Sequence, residues 1–139
     1  MRKLHGACLC GAVTFSLDDD FSHFYLCHCD QCKKLTGSAH ASNLFTQPHN
    51  IRWEQGEQAI VRYNHPTRTF SNAFCGQCGA NLPYLSQSGK ALIVPAGSLN
   101  EQPSKSPDCQ IFCDEQAPWH QAGMLTKHCR DFRSNSYYY

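Results

Sequence analysis

The sequence has no concentrated charge of either sign and no long apolar run. Twelve Lys and Arg stand against eleven Asp and Glu, a formal net charge of +1. Nucleic acids and acidic membrane surfaces select a concentrated basic field, so neither is expected as a partner, and the balance points to a small or neutral ligand. Met1 to Gly6 leads straight into polar, glycine-containing sequence without the apolar segment of a signal peptide or a membrane span, so a cytoplasmic location is expected. Internal repeats are absent apart from the cysteine knuckles, and so is any alternation of strands with long helices. The 139 residues suit one domain, and a composition 41% hydrophobic and 17% charged fits a folded chain. A single domain over residues 1–133 is expected, followed by a flexible tail over 134–139 ending in three tyrosines.

What the chain does have is cysteine, ten residues of it. Seven fall into tight groups: Cys8-x-Cys10, Cys27-x-Cys29-x-x-Cys32 and Cys75-x-x-Cys78. In a reducing compartment such groups are metal ligands more often than disulfides, and side chains that alternate along an extended C-x-C stretch are badly placed to bond to each other. A redox C-x-x-C needs a strand-and-helix setting that this sequence does not show. Zinc takes four ligands about 2.3 Å from sulfur; structural sites are closed by four protein ligands, whereas catalytic sites keep one position open. Ligand counting therefore gives two zinc ions. The pairs Cys8 with Cys10 and Cys75 with Cys78 close one site, and Cys27, Cys29 and Cys32 hold the other with an open position. An alternative partition caps the triplet with Cys109, Cys113 or a histidine and leaves two purely structural ions.

The patterning is mainly β. Val13, Phe15 and Leu17 alternate with polar residues as in a half-buried strand, and Asp18 to Asp20 read as a solvated turn. Phe24-Tyr25-Leu26 runs into the triplet, placing Cys27 and Cys29 at a strand end and Cys32 in a short helical turn that stops near Gly37. Further strands are expected at residues 39–45, 51–53, 60–63, 69–74, 82–85, 92–94 and 110–112, separated by turn residues such as Gln55-Gly56 and Ser88-Gly89-Lys90. The proline-bearing run 100–108 reads as a surface crossover, and past Trp119 the periodicity fades.

Gly6-x-Cys8-x-Cys10-Gly11-x-Val13-x-Phe15, Cys27-His28-Cys29-x-x-Cys32 with Gly37-Ser38, Phe74-Cys75-x-x-Cys78-Gly79 and Ala117-Pro118-Trp119 together resemble the glutathione-dependent formaldehyde-activating enzyme family. The likeness spans about Gly6 to Trp119. It implies a β-tent fold, small antiparallel sheets pinned by a structural zinc on Cys8, Cys10, Cys75 and Cys78, with a catalytic zinc on Cys27, Cys29 and Cys32. It also implies carbon–sulfur lyase activity that reversibly joins glutathione and formaldehyde into S-hydroxymethylglutathione. Two other readings stand beside it: a non-catalytic zinc module that binds glutathione or a protein partner, and a zinc ribbon on nucleic acid, which the near-neutral charge opposes.

Other residues carry narrower expectations. A carboxylate-bearing thiol needs a cation, and Lys33, Lys34, Arg52, Arg62 and Arg68 are available, the two lysines closest in sequence to the triplet. Ser42 and Asn43 are candidates for polar contacts to a cleft ligand. His28 should point away from the metal. His40, His49, His65 and His120 lack ligand spacing and read as mostly surface residues. Trp53 and Trp119 read as core or edge aromatics, and Cys109, Cys113 and Cys129 as small apolar core residues.

Overall fold

A computed structural model of the chain describes residues 1–131; the tail expected at 134–139 lies outside them. The first sheet begins with β1 (Lys3–Ala7), β2 (Thr14–Asp18), and includes β5 (Arg52–Gln55), in the order β1-β2-β5. The second contains β3 (His23–Cys27), β4 (Ala41–Thr46), β9 (Tyr84–Leu85), β10 (Leu92–Pro95) and β11 (Cys109–Ile111), in the order β11-β3-β4-β10-β9. The third joins β6 (Ile60–Asn64), β7 (Ser71–Cys75) and β8 (Asn81–Leu82) in chain order. Pairing is antiparallel except between β11 and β3, which run parallel after the 100–108 crossover. Helices are confined to α1 (Asp30–Thr36), α2 (Trp119–Met124) and three 3-10 turns. The mainly β class read from the sequence holds. No helix among the described residues is long and apolar enough to cross a membrane.

The core sits between the sheets. Leu4, Val13, Phe15, Leu17, Leu44, Leu82, Leu92 and Val94 are each at most 2% exposed, and full burial of such a side chain is worth about 1.5–3 kcal/mol. Phe15 takes an edge-on contact from Trp53, with ring centroids 5.6 Å apart. The expected alternation in β2 breaks at Ser16, which is buried because its hydroxyl donates to Glu54 Oε1 on β5 at 2.7 Å. Gly6 has no room for a side chain: a Cβ there would overlap the Phe15 ring and the Ser98 carbonyl oxygen.

Two elements were not visible in the sequence. β1 carries only Leu4 and Gly6 inward, too weak an alternation to read. α2 has none of its six residues buried, so no apolar stripe marks it, and Trp119, expected at the core or its edge, is 59% exposed. The single strand expected at 82–85 is two. Pro83, without an N–H, ends the pairing with β7 after Leu82, and Tyr84 then joins β10 in a different sheet. That switch carries Tyr84 from one sheet to the other, beside the candidate site.

Candidate active site

The topology gathers the seven clustered cysteines into two groups. In the first, Cys8 and Cys10 lie in the turn after β1, Cys75 ends β7 and Cys78 lies in the following turn; the four sulfurs all fall within 4.8 Å of one another. Cys8 Sγ is 3.7 Å from Cys10 Sγ, and Cys10 Sγ is 3.9 Å from Cys75 Sγ. A tetrahedron of sulfurs about 2.3 Å from a central ion has edges of about 3.8 Å. The fit is close. Backbone N–H groups point at two of these sulfurs, Val13 N to Cys8 Sγ at 3.2 Å and Gln77 N to Cys75 Sγ at 3.4 Å. Cys78 is held down to about 6, chiefly by the Ala80 backbone N–H. Against the effect of burial the Val13 N–H lowers the Cys8 thiol as the Ala80 N–H lowers Cys78, and both favour thiolate, the form that binds metal.

The second group is Cys27, Cys29 and Cys32, buried and with sulfurs again within 4.8 Å of one another. The local sequence builds it directly. Cys27 is the last residue of β3, and extended Cys29 caps α1, its Sγ accepting from Cys32 N at 3.4 Å. Gly37, in the left-handed conformation at φ 64°, ends the helix, its N–H donating to the Lys33 carbonyl at 2.8 Å. Burial pushes the Cys32 thiol up and the Cys27 charge adds to it; Cys27 is likewise raised by burial. Three buried thiols this close resist ionising together unless a cation supplies the missing charge, so the donor set fits a soft divalent metal with three protein ligands.

Two cavities meet at this group. One, of about 520 Å³, is lined by Cys27, Cys29 and Cys32. Among the described residues, Arg68 is the only Lys or Arg on its wall, while Asp30 and Glu115 supply the opposite charge. Arg68 Nη1 donates to Gln31 Oε1 at 3.2 Å. Gln87 Nε2 fixes the Arg68 loop by donating to the carbonyls of Arg68 at 3.0 Å and Phe70 at 2.8 Å. The other cavity, of about 530 Å³, lies between the two cysteine groups, touching Cys8 and Cys32. Ser42 and Asn43, expected to contact a ligand, both line it. Burial pushes the Tyr84 phenol up to about 12, so between the cavities it keeps its proton and can donate.

The structure selects among the cations. Lys33 and Lys34, nearest to the triplet in sequence, line neither cavity: Lys33 Nζ pairs with Asp30 at 3.0 Å and donates to the Glu115 carbonyl. Arg52 pairs with Glu54 at 3.6 Å, and Arg62 donates to Asn64. Arg68 is distant in sequence and reaches the site only because the β6–β7 loop folds over it.

Two of the histidines differ from expectation, and His28 does not. His28 is fully buried and turned away from the sulfurs, its Nε2 donating to Gln110 Oε1 at 2.8 Å on β11. His40 and His120, read as surface residues, pack edge-on against it, with centroids 5.1 and 4.9 Å from His28. Burial, outweighing the Ala41 backbone contact, lowers the His40 pKa, so His40 is neutral at pH 7. Cys109, Cys113 and Cys129 are exposed, neither core residues nor members of either cysteine group. They lie on the surface because β11 is an edge strand and the segments after it pack few side chains inward.

Small sheets carrying two thiol clusters define a class of cysteine-knuckle proteins. Within it, the sequence model of the glutathione-dependent formaldehyde-activating enzyme family matches residues 3–115, and the chain belongs to that family. No curated protein matches the sequence. Among solved structures, a crystal structure of a Rhodobacter sphaeroides protein is similar at 22% identity and a TM-score of 0.59, covering 76% of this chain and 98% of that one. At that identity it speaks for the fold alone.

Proposed function

We propose that the protein is a zinc-dependent enzyme of carbon–sulfur chemistry that joins glutathione, or a similar thiol, to a small aldehyde. The observation that carries this reading is a buried set of three thiols on the wall of a cavity that also holds one anchored arginine and two carboxylates. Cys27, Cys29 and Cys32 are the catalytic ligands, with one position left for substrate. Cys8, Cys10, Cys75 and Cys78 enclose a second, structural zinc. The catalytic ion, when bound, holds a thiol in its deprotonated, nucleophilic form near neutral pH, where a free thiol with pKa near 8.5 is mostly protonated.

The chain's own groups bind and orient. Arg68 pairs with a carboxylate of the tripeptide, and Glu115, the wall carboxylate that Lys33 leaves free of an ion pair, takes its ammonium. In the addition, a carbon–sulfur bond forms, the carbonyl π pair moves to oxygen, and that oxygen receives the proton the thiol has released. Tyr84, protonated and on both cavity walls, donates a hydrogen bond to the developing oxygen. Formaldehyde adds to thiols readily, so the protein's main contribution is to gather and align two reactants. The test is adduct formation from glutathione and formaldehyde with zinc-loaded protein, followed against the spontaneous rate. Acceleration supports the enzyme, and binding of glutathione by calorimetry with no acceleration makes the protein a carrier.

A further inference from the structure

The cavity between the two cysteine groups has a character unlike its neighbour. Among the described residues no Lys, Arg, Asp or Glu lines it, and His40 in its wall is neutral. Its polar surface comes instead from Asn43, Asn72, Asn81 and Asn100, with Ser42 and Ser98. None of the four side-chain amides has a hydrogen-bond partner among the described residues. Asn72 is only 4% exposed, so a ligand group that pairs with its amide replaces the little water that reaches it. Among the described residues the one fully enclosed side-chain polar atom without a partner is His28 Nδ1, so the Asn72 amide reaches the cavity space. Each amide offers both a donor and an acceptor, a lining that matches hydroxyl and carbonyl groups without charge.

Size points the same way. Formaldehyde is little larger than a water molecule, whose share of liquid is about 30 Å³, whereas this cavity measures about 530 Å³, within the roughly 300–1,000 Å³ range of metabolite sites. Position completes the argument. Cys32, Asn43, Phe70 and Tyr84 line both cavities, so an occupant here faces across Cys32 to the Arg68 side. A tripeptide with two carboxylates belongs where the arginine is, which leaves the amide-lined cavity for the second reactant.

We propose that the Asn43, Asn72, Asn81 and Asn100 cavity is the electrophile site and that it takes an uncharged, hydroxyl-bearing aldehyde larger than formaldehyde. This rests on the carbon–sulfur reading above and names its second substrate class. The step conserves atoms: thiol and aldehyde give a hemithioacetal, the sulfur bonding to the carbonyl carbon and the thiol proton ending on the former carbonyl oxygen.

Two measurements on the zinc-loaded full chain test it. In the first, glutathione is combined with D-glyceraldehyde, butanal or formaldehyde, and the rate is read above the spontaneous one. The expected kcat/KM for glyceraldehyde exceeds those of butanal and formaldehyde by tenfold or more. Asn72→Leu, or Asn81→Leu should the first not fold, lowers it about tenfold, the loss of one hydrogen bond, with glutathione affinity and zinc content unchanged. In the second, lactamide, a neutral hydroxyamide that cannot add a thiol, is titrated against lactate while the asparagine side-chain amide signals are followed by NMR. Lactamide alone should shift them. No shift, an equal shift with lactate, or a shift produced by glutathione itself overturns the assignment of the cavity, even if formaldehyde is turned over. Loss of all turnover with the lactamide shift intact overturns the reaction and leaves the cavity standing.

Discussion

Replacing Arg68 by Gln tests where the thiol substrate's carboxylate lies. The substitution keeps a polar side chain of related reach and removes the charge. A hydrogen bond to a charged group is worth about 1.5–3 kcal/mol, but Arg68 is exposed, and exposed ion pairs retain about 0.2–1 kcal/mol. The anchoring of Arg68 by Gln31 at 3.2 Å and the bracing of its loop by Gln87 reduce the entropy lost on binding, which puts the expected value at the upper end of the exposed range. A loss of about 1 kcal/mol raises the glutathione Kd about fivefold. Calorimetric titration of the zinc-loaded protein reads this directly, and Gln87→Ala should produce a smaller rise by loosening the same loop. Arg68→Lys should restore part of the affinity, since a lysine keeps the charge but not the fork. An unchanged Kd in Arg68→Gln, with Lys33→Gln raising it instead, would refute the placement of the tripeptide in the cavity beside Cys27, Cys29 and Cys32.

Other perturbations follow from the same geometry. Tyr84→Phe should lower kcat about tenfold and leave the glutathione Kd unchanged, because the phenol donates only to the oxygen that develops charge; an equal change in both by steady-state kinetics and calorimetry would make Tyr84 a binding residue. Gly6→Ala should destabilise by about 1–3 kcal/mol, the overpacking cost against the Phe15 ring and Ser98 carbonyl, measured by denaturant unfolding. Leu44→Ala, at a site with no exposure, should cost about 2–5 kcal/mol in the same assay. Asp108 has its carboxyl held below the usual range by the Lys105 ammonium and then by the Phe24 N–H. Since the folded pKa is the lower one, its contribution is full above the unfolded pKa of about 3.9 and is lost as pH falls through the folded value. Asp108→Asn should therefore melt below the parent at pH 7, with the difference closing in acid; a gap that widens in acid would reverse that sign.

How much was legible in advance depended on whether a feature was local. The triplet is assembled within six residues, by a strand end, an extended cap and the first turn of α1, and chain geometry alone brings those sulfurs together. The four-cysteine group needs a fold, yet each half is a local knuckle, and the count of ligands sufficed to pair them. The strands with alternating apolar residues were legible for the same reason. Arg68 was not singled out, because nothing in residues 65–70 shows that Gln87, from a distant hairpin, holds that loop against the site. The His28, His40 and His120 cluster was hidden similarly: their spacing is unrelated to any ligand motif, and they meet only when α2 brings His120 against His28 and His40, which lie on either side of α1. Tyr84 lay in what reads as one strand, and only the change of sheet at Pro83 gives it its place. The three exposed cysteines were misjudged because a small apolar residue is usually buried, whereas the C-terminal segments here bury little.

The central claim is a division of labour between two cysteine groups, and metal content in single variants measures it most directly. The parent protein should hold two zinc ions per chain. Cys27→Ser and Cys32→Ser should each retain one zinc and a cooperative unfolding transition, while Cys8→Ser and Cys78→Ser should lose the fold along with the enclosed ion. One zinc in the parent, or four variants that behave alike in zinc content and unfolding, would contradict the account.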